Sequence, residues 1–328
     1  MTTYYGLYGQ KVQYLASDPT DVQIGQVWYN STSATLKVRQ EVTVNAWASG
    51  GNLNTARQHL AGAGTQTAGL AFAGSPPIGT ATESYNGSSW TTVNSMNTAR
   101  YSLGGCGTQT AALGFGGYST TNLSSTEKYD GTSWTSNPTG LGTARYSIRG
   151  FGTQTAAIAA AGATYPPTVF YNLTESFNGT SWTSVNALNN TKAGGAAAGI
   201  QTAGLYFGGS GPGPSFTPLT QTESWNGTSW TAVNTMNTAR QSLAGAGTQP
   251  AALAFGGGPP TGLSSTELWN GTSWTSNPTG LATARQTLAG AGTQPAALAF
   301  GGSTGAGGLN NTEEWTGIEA QTKTVTVT

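Results

Sequence analysis

Charge is scarce in this chain. Only 7% of its 328 residues are charged, twelve basic and twelve acidic, for a formal net charge of zero. A polyanion footprint is therefore missing, and no nucleic-acid partner is expected. Histidine and cysteine occur once each, His59 and Cys106. One of each cannot build a His/Cys metal site, and a lone cysteine gives no disulfide framework. No stretch of 18 apolar residues occurs, so no membrane insertion is expected. The opening Met1-Thr2-Thr3-Tyr4-Tyr5 lacks the basic-then-apolar form of a signal peptide. Low charge with repetitive polarity also suits disorder. Ten Trp, thirteen Tyr and nine Phe speak against that, because every Trp but Trp28 falls on a repeat position.

What the chain does have is 49 glycines and a repeated unit. A Thr-Glu pair recurs at Glu83, Glu127, Glu175, Glu223, Glu267 and Glu313. A basic residue recurs at Arg57, Arg100, Arg145, Arg240 and Arg285, with Lys192 in the remaining slot. Successive basic residues stand 43, 45, 47, 48 and 45 apart. A period of this size, built of short apolar runs and turn residues, marks a propeller or solenoid whose units cannot fold alone.

One unit shows the logic. Arg240 to Gly247 reads as a strand of small residues, and Thr248-Gln249-Pro250 as a turn. Ala251 to Phe255 is nearly all apolar, as expected of a strand covered on both faces. A loop leads to Ser265-Thr266-Glu267-Leu268-Trp269. Asn270-Gly271 then reads as a type I′ hairpin, with positive φ at both positions, before Ser273-Trp274-Thr275. Four strands in sequence make an antiparallel meander, one propeller blade. Gly62, Gly105, Gly150, Gly245 and Gly290 share one place, where innermost strands crowd a central channel. Phe72, Phe115, Phe207, Phe255 and Phe300 sit further out and should fill the gaps between blades.

The count predicts an all-β, six-bladed propeller over residues 46–328, with a β-hairpin arm over 1–45. The last unit runs from Arg285 to Gly317 and lacks its final Ser-Trp strand. Trp47 precedes Arg57 by ten residues, as Trp90 precedes Arg100. The Trp47 strand is therefore expected to complete the last blade.

Gly116-Gly117, Tyr129, Trp134 and Arg145 resemble a kelch repeat in order and spacing, and the resemblance recurs over residues 47–317. The fourth unit departs from it, with Lys192 for Arg and Gly195 for the inner Leu. The resemblance implies a binding scaffold. Near the N-terminus, Ser17-Asp18-Pro19, Gly25-Gln26-Val27-Trp28-Tyr29-Asn30-Ser31-Thr32 and Thr35-Leu36-Lys37-Val38 are similar to short modules of tailed-phage structural proteins. That similarity implies a virion protein whose arm meets other virion proteins.

Chemistry is hard to find. His59 replaces a serine of other units (Ser102, Ser147, Ser242), and Cys106 an alanine, so both read as structural. Galactose-oxidase-like propellers need two His at copper, which this chain cannot supply. Gly131-Thr132-Ser133-Trp134 matches the end of a sialidase Asp-box, but Asp130 abuts the Gly instead of standing two before it. Half of all charge is periodic, which predicts that each repeat Glu pairs with a repeat Arg or Lys. Asp18 and Asp21 are a weak calcium candidate. The Asn-Gly-Ser/Thr triplets at Asn86, Asn178, Asn226 and Asn270 read as turns before glycan sequons. No catalytic residue, metal or cofactor is expected.

Loops between the second and third strands vary from 7 to 12 residues and share one face. The third and fourth are longest, and hold Tyr165, Phe170, Tyr171 and Phe216 with Pro166, Pro167, Pro212, Pro214 and Pro218. Aromatic rings stiffened by proline suit a contact surface. The expected function is a non-enzymatic phage virion protein, of tail or capsid, adhering to a host-surface glycan or protein or to a neighbouring virion protein. A cellular lectin-like or protein-binding kelch module and a carbohydrate-active enzyme are the alternatives.

Overall fold

A computed structural model describes residues 12–213, 216–258 and 261–325, and for 318–320 the backbone alone. Residues 1–11 of the expected arm and Pro214 of the expected contact loop lie outside the described residues. The chain divides into two compact units, Ala46–Trp315 and a smaller one of Met1–Asn45 with Thr316–Thr328. Residues 316–328, assigned to the propeller from the sequence, thus group with the N-terminal residues.

The large unit is a β-propeller of repeated four-stranded meanders. The first blade runs Ala61–Gly64, Gly69–Phe72, Thr82–Tyr85 and Trp90–Val93, each strand antiparallel to the last. The second begins at Gly104–Thr108, the third at Arg149–Gly152, the fourth at Ala196–Ile200 and the fifth at Ala244–Thr248. The third blade also carries a two-stranded ribbon, Ala163–Thr164 with Val169–Phe170.

The expectation of six blades is corrected here. Among the described residues there are five four-stranded blades, not six. Ala289–Gly292 and Ala296–Phe300 begin what the repeat predicts as a further blade, but they belong to a six-stranded sheet. Thr312–Thr324 and Thr35–Ser49 follow in that sheet. Both strands are far longer than the four residues the repeat calls for, so the pattern is not cut to blade length there. Within the large unit, Trp47 sits 5.4 Å from Trp315 and 4.9 Å from Phe255 between ring centroids, and its indole donates to Thr266 Oγ1. The innermost strands of the five blades and Ala289–Gly292 neighbour one another in a closed cycle.

Neighbouring sectors are fastened by three repeated contacts. The Phe of one blade packs on the Trp of the next: Phe72 on Trp134, Phe115 on Trp182 and Phe207 on Trp274, at 4.8–4.9 Å between centroids. The same Trp indole donates to the Thr beside the preceding blade's Glu, as Trp134 does to Thr82 at 3.0 Å. The Gln of the inner turn reaches back as well: Gln109 donates to the carbonyls of Gly69 and Tyr85. The phenylalanines are fully buried, worth about 1.5–3 kcal/mol each.

The inner glycines answer to these rings more than to crowding at the channel. A Cβ on Gly105 would stand 2.7 Å from Phe72 Cζ, and one on Gly245 2.6 Å from Phe207 Cζ. The third blade has Ala160 in place of the Phe, and the fourth then carries Ala197 in place of the Gly. Phe151, on the inner strand of the third blade, fills the space instead and covers Gly204, where a Cβ would meet its ring at 2.2 Å.

Two local readings are corrected. Gly271 has φ +90°, but Asn270 does not have positive φ, so the turn is not type I′. It spans four residues between paired Trp269 and Trp274, and Asn270 Oδ1 accepts the amides of Thr272 and Ser273. An Asx turn does the work assigned to backbone torsion. The inner strand begins at Ala244, not Arg240, because Ser242 is left-handed at φ +54°.

In the small unit, Val27–Asn30 pairs antiparallel with the start of Thr35–Ser49 and parallel with Gln13–Leu15. A third strand thus joins the expected hairpin. Trp28 is fully buried.

Candidate functional site

The periodic charges are structural. Each repeat Glu meets the basic residue of its own unit: Arg57–Glu83 at 3.0 Å, Arg100–Glu127 and Arg240–Glu267 at 2.7 Å, Arg145–Glu175 at 2.5 Å and Arg285–Glu313 at 3.2 Å. Lys192 pairs with Glu223. All twelve side chains are buried. The guanidinium also holds backbone: Arg100 donates to the carbonyls of Gly116 and Ser125. The carboxylate accepts amides of the incoming chain, as Glu127 does from Asn97 and Thr98. Each pair therefore pins the segment that enters a blade to that blade's second and third strands. Burial lowers the pKa of every one of these basic groups, with the partner Glu opposing it.

The segment between each basic residue and its inner strand makes a second construction. His59, Ser102, Ser147, Gly194, Ser242 and Thr287 all have φ between +50° and +65°. Each donates its amide to the carbonyl of the preceding member, and His59 donates to Thr287, at 2.6–2.9 Å. The result is a closed circle of backbone hydrogen bonds at one end of the channel. These are left-handed positions, sparsely used by residues other than Gly, Asn and Asp, and here the circle holds them. A recess of about 30 Å3 lies against this circle. Below it, the inner strands enclose a cavity of about 80 Å3, lined among others by Ala61, Gly105, Arg149, Ala197, Gly245 and Gly290.

His59 is thus a member of the circle rather than of an inner strand. Its Nδ1 is 3.0 Å from Ser102 Oγ. Burial, and then the charge of Arg149, push its pKa down to about 4, so it is neutral near pH 7. Cys106 lies within an inner strand, and burial pushes its thiol up to about 12, which removes thiolate reactivity. Asp130 caps its own turn through the amides of Thr132 and Ser133, the role Asn has in other blades.

The variable loops occupy the face where the circle lies. Phe170 and Phe216, from the third and fourth blades, come together at 5.6 Å between centroids. Phe216 is 43% exposed and Tyr165 54%, while Phe170 and Tyr171 are half-buried. Asn122 of the second blade bonds the backbone of Tyr165 through both ends of its amide. Tyr171 contributes mainly backbone, its amide donating to Gly162.

Sequence reasoning missed Tyr101, Tyr118 and Tyr146. They form a half-buried row on this face: Tyr118 stands 5.7 Å from Tyr101 and 6.0 Å from Tyr146, and Tyr101 is 5.7 Å from His59. A signal existed, since Tyr101 and Tyr146 each follow a repeat Arg where other units have Gln or Ala.

In the small unit, the residues that carried the phage resemblance meet. Asp18 accepts from Lys37, from Trp28 Nε1 at 3.0 Å and from Asn30 Nδ2 at 2.7 Å. These bonds, that of Lys37 foremost, lower its pKa to about 2. Its oxygens are thus engaged, Asp21 is bonded to Gln23, and no cluster of three metal-ligating residues occurs among the described residues.

No protein-family model matches the chain, and no curated protein matches it in sequence. Among solved structures, one described as "Structure of YjhT" superposes with a TM-score of 0.68 at 13% identity, over 83% of this chain and 99% of that one. At that identity the likeness concerns the propeller fold alone.

Proposed function

We propose that the chain is a non-enzymatic structural protein of a phage particle, a kelch-like propeller that adheres through its loop face. The target is a host-surface glycan or protein, or a neighbouring virion protein reached by the N-terminal residues. The observation that carries the adhesive reading is the meeting of Phe170 and Phe216, with Phe216 and Tyr165 exposed. Large rings left open to water on a rigid frame are what interface anchors look like. The Tyr101–Tyr118–Tyr146 row extends the same aromatic surface. The non-enzymatic reading draws on the charges: the repeat carboxylates are buried in ion pairs, and Asp130 caps a turn. The virion reading draws on the Asp18–Trp28–Asn30–Lys37 network, which gathers the residues similar to phage modules.

The test is the particle. Mass spectrometry of purified virions from the source should find this chain in fixed ratio to other virion proteins. Its absence from particles, with recovery in a cell fraction, overturns the virion reading. Substituting Phe216→Ser with Tyr165→Ser should abolish adsorption to host cells or to a glycan array. Undiminished adsorption by a folded double variant overturns the adhesive face.

A further inference from the structure

Two cations of the propeller, Lys128 and Arg149, stand outside the repeated ion pairs; Lys128 donates to the Gly179 carbonyl over the Phe177 ring, and Arg149 alone of the two lines the channel. Arg149 opens the inner strand of the third blade, where the other units have Ala61, Gly104, Ala196, Ala244 and Ala289. Its side chain lines the axial cavity of about 80 Å3 and borders the recess beside the circle. Its Nε donates to the Gly195 carbonyl and Nη1 to that of Ile148 at 3.3 Å. Three of its five N–H groups have no protein acceptor among the described residues. No carboxylate pairs with it there either, although every repeat basic residue has one.

We propose that the axial cavity is a binding site for one small oxyanion, a phosphate, a sulfate or a carboxylate group, held by Arg149. A guanidinium fork matches the oxygens of such groups in pairs. A half-buried cation without a counter-charge attracts an anion, and the walls supply none. The rest of the lining is apolar, alanines and glycines such as Ala61, Gly105 and Gly245 with Leu60, Leu103, Leu243 and Leu288, so Arg149 is its one charged side chain. The volume sets the size of the ligand. It is room for a few waters, a size that suits a small anion. Ser147 and Ser242, at the recess, have hydroxyls with no protein partner among the described residues and can donate to the same anion. The site uses none of the loop aromatics and does not rest on the adhesive reading.

Titration calorimetry of the full chain tests it, with phosphate, sulfate and acetate at constant ionic strength in a chloride background. At least one should give a saturable one-to-one isotherm. Arg149→Ala installs the residue of other units and should keep the fold while losing binding at least tenfold. Arg149→Lys keeps the charge without the fork and should retain part of the affinity. If phosphate or sulfate binds and acetate does not, the ligand is a tetrahedral ion; if acetate binds as well, a carboxylate on a slender molecule is included. Should Arg149→Ala misfold, Arg149→Gln carries the same comparison. Binding unchanged in the folded variant, or no binding of any of the three anions by the native chain, overturns the proposal.

Discussion

The ring of Phe72 lies on the backbone of Gly105 in the next blade, so close that a Cβ there would stand 2.7 Å from Cζ. The contact makes a single hydrogen atom decisive. Gly105→Ala should destabilise the protein by about 1–3 kcal/mol through overpacking. Ala197→Gly, at the matching place in the one blade that follows no such Phe, should cost only about 0.5–1 kcal/mol from backbone freedom. Denaturant midpoints of the two variants check the asymmetry. Equal losses would mean that the ring moves aside freely.

Glu223 is the partner of Lys192, and both are buried. It also accepts the amide of Asn189 at 2.8 Å and a bond from that residue's side chain. Glu223→Ala removes one charge and leaves Lys192 enclosed and uncompensated. Such breaks cost about 3–5 kcal/mol. The expected outcome is a marked fall in melting temperature; an unchanged value would show that the pair carries no net stabilisation.

How much of this was readable in advance depends on what each residue answers to. The Glu and Arg positions were legible because their partners recur at one spacing, as Arg240 and Glu267 do. The Phe and Trp layers were legible for the same reason. The number of four-stranded blades was not, because strand length at the junction of Thr35–Ser49 and Thr312–Thr324 is set by residues outside the repeat. The left-handed circle was hidden too. Ser102 and Ser242 carry no torsional signature in their chemistry, and only the tertiary ring of amides imposes φ near +50° on them. Arg149 was lost among the repeat arginines, although its distance of four residues from Arg145 marks it as an extra.

Trp47 packs against Phe255 and Trp315 and donates to Thr266, as the Trp of each blade does to the blade before. Trp47→Ala should therefore behave as a core truncation, costing about 3–5 kcal/mol. Trp47→Phe keeps the packing and loses the hydrogen bond, for about 1 kcal/mol. Thermal melts of the two variants separate the contributions. A melt of Trp47→Ala matching the native chain would show that this strand does not fasten the propeller.

His59 gives the fold an acid sensitivity with a definite window. Its pKa is about 4 in the folded protein against an ordinary 6.5, because burial and the charge of Arg149 disfavour the imidazolium. Between those values the unfolded chain binds a proton that the folded chain does not. Stability therefore falls as pH drops from about 6.5 to about 4, and this contribution levels off below 4. The full effect is at most about 3–4 kcal/mol, from 1.36 kcal/mol per pKa unit. Asp18 acts lower: its pKa of about 2 stabilises above the ordinary 3.8, and that contribution goes only as pH falls from 3.8 toward 2. His59→Ser, the residue at Ser102, Ser147 and Ser242, should keep the left-handed turn and remove the first window alone. Urea unfolding at pH 7 and pH 4.5 checks it. The native chain should lose more stability between the two pH values than the variant does, and equal losses would place the acid sensitivity elsewhere.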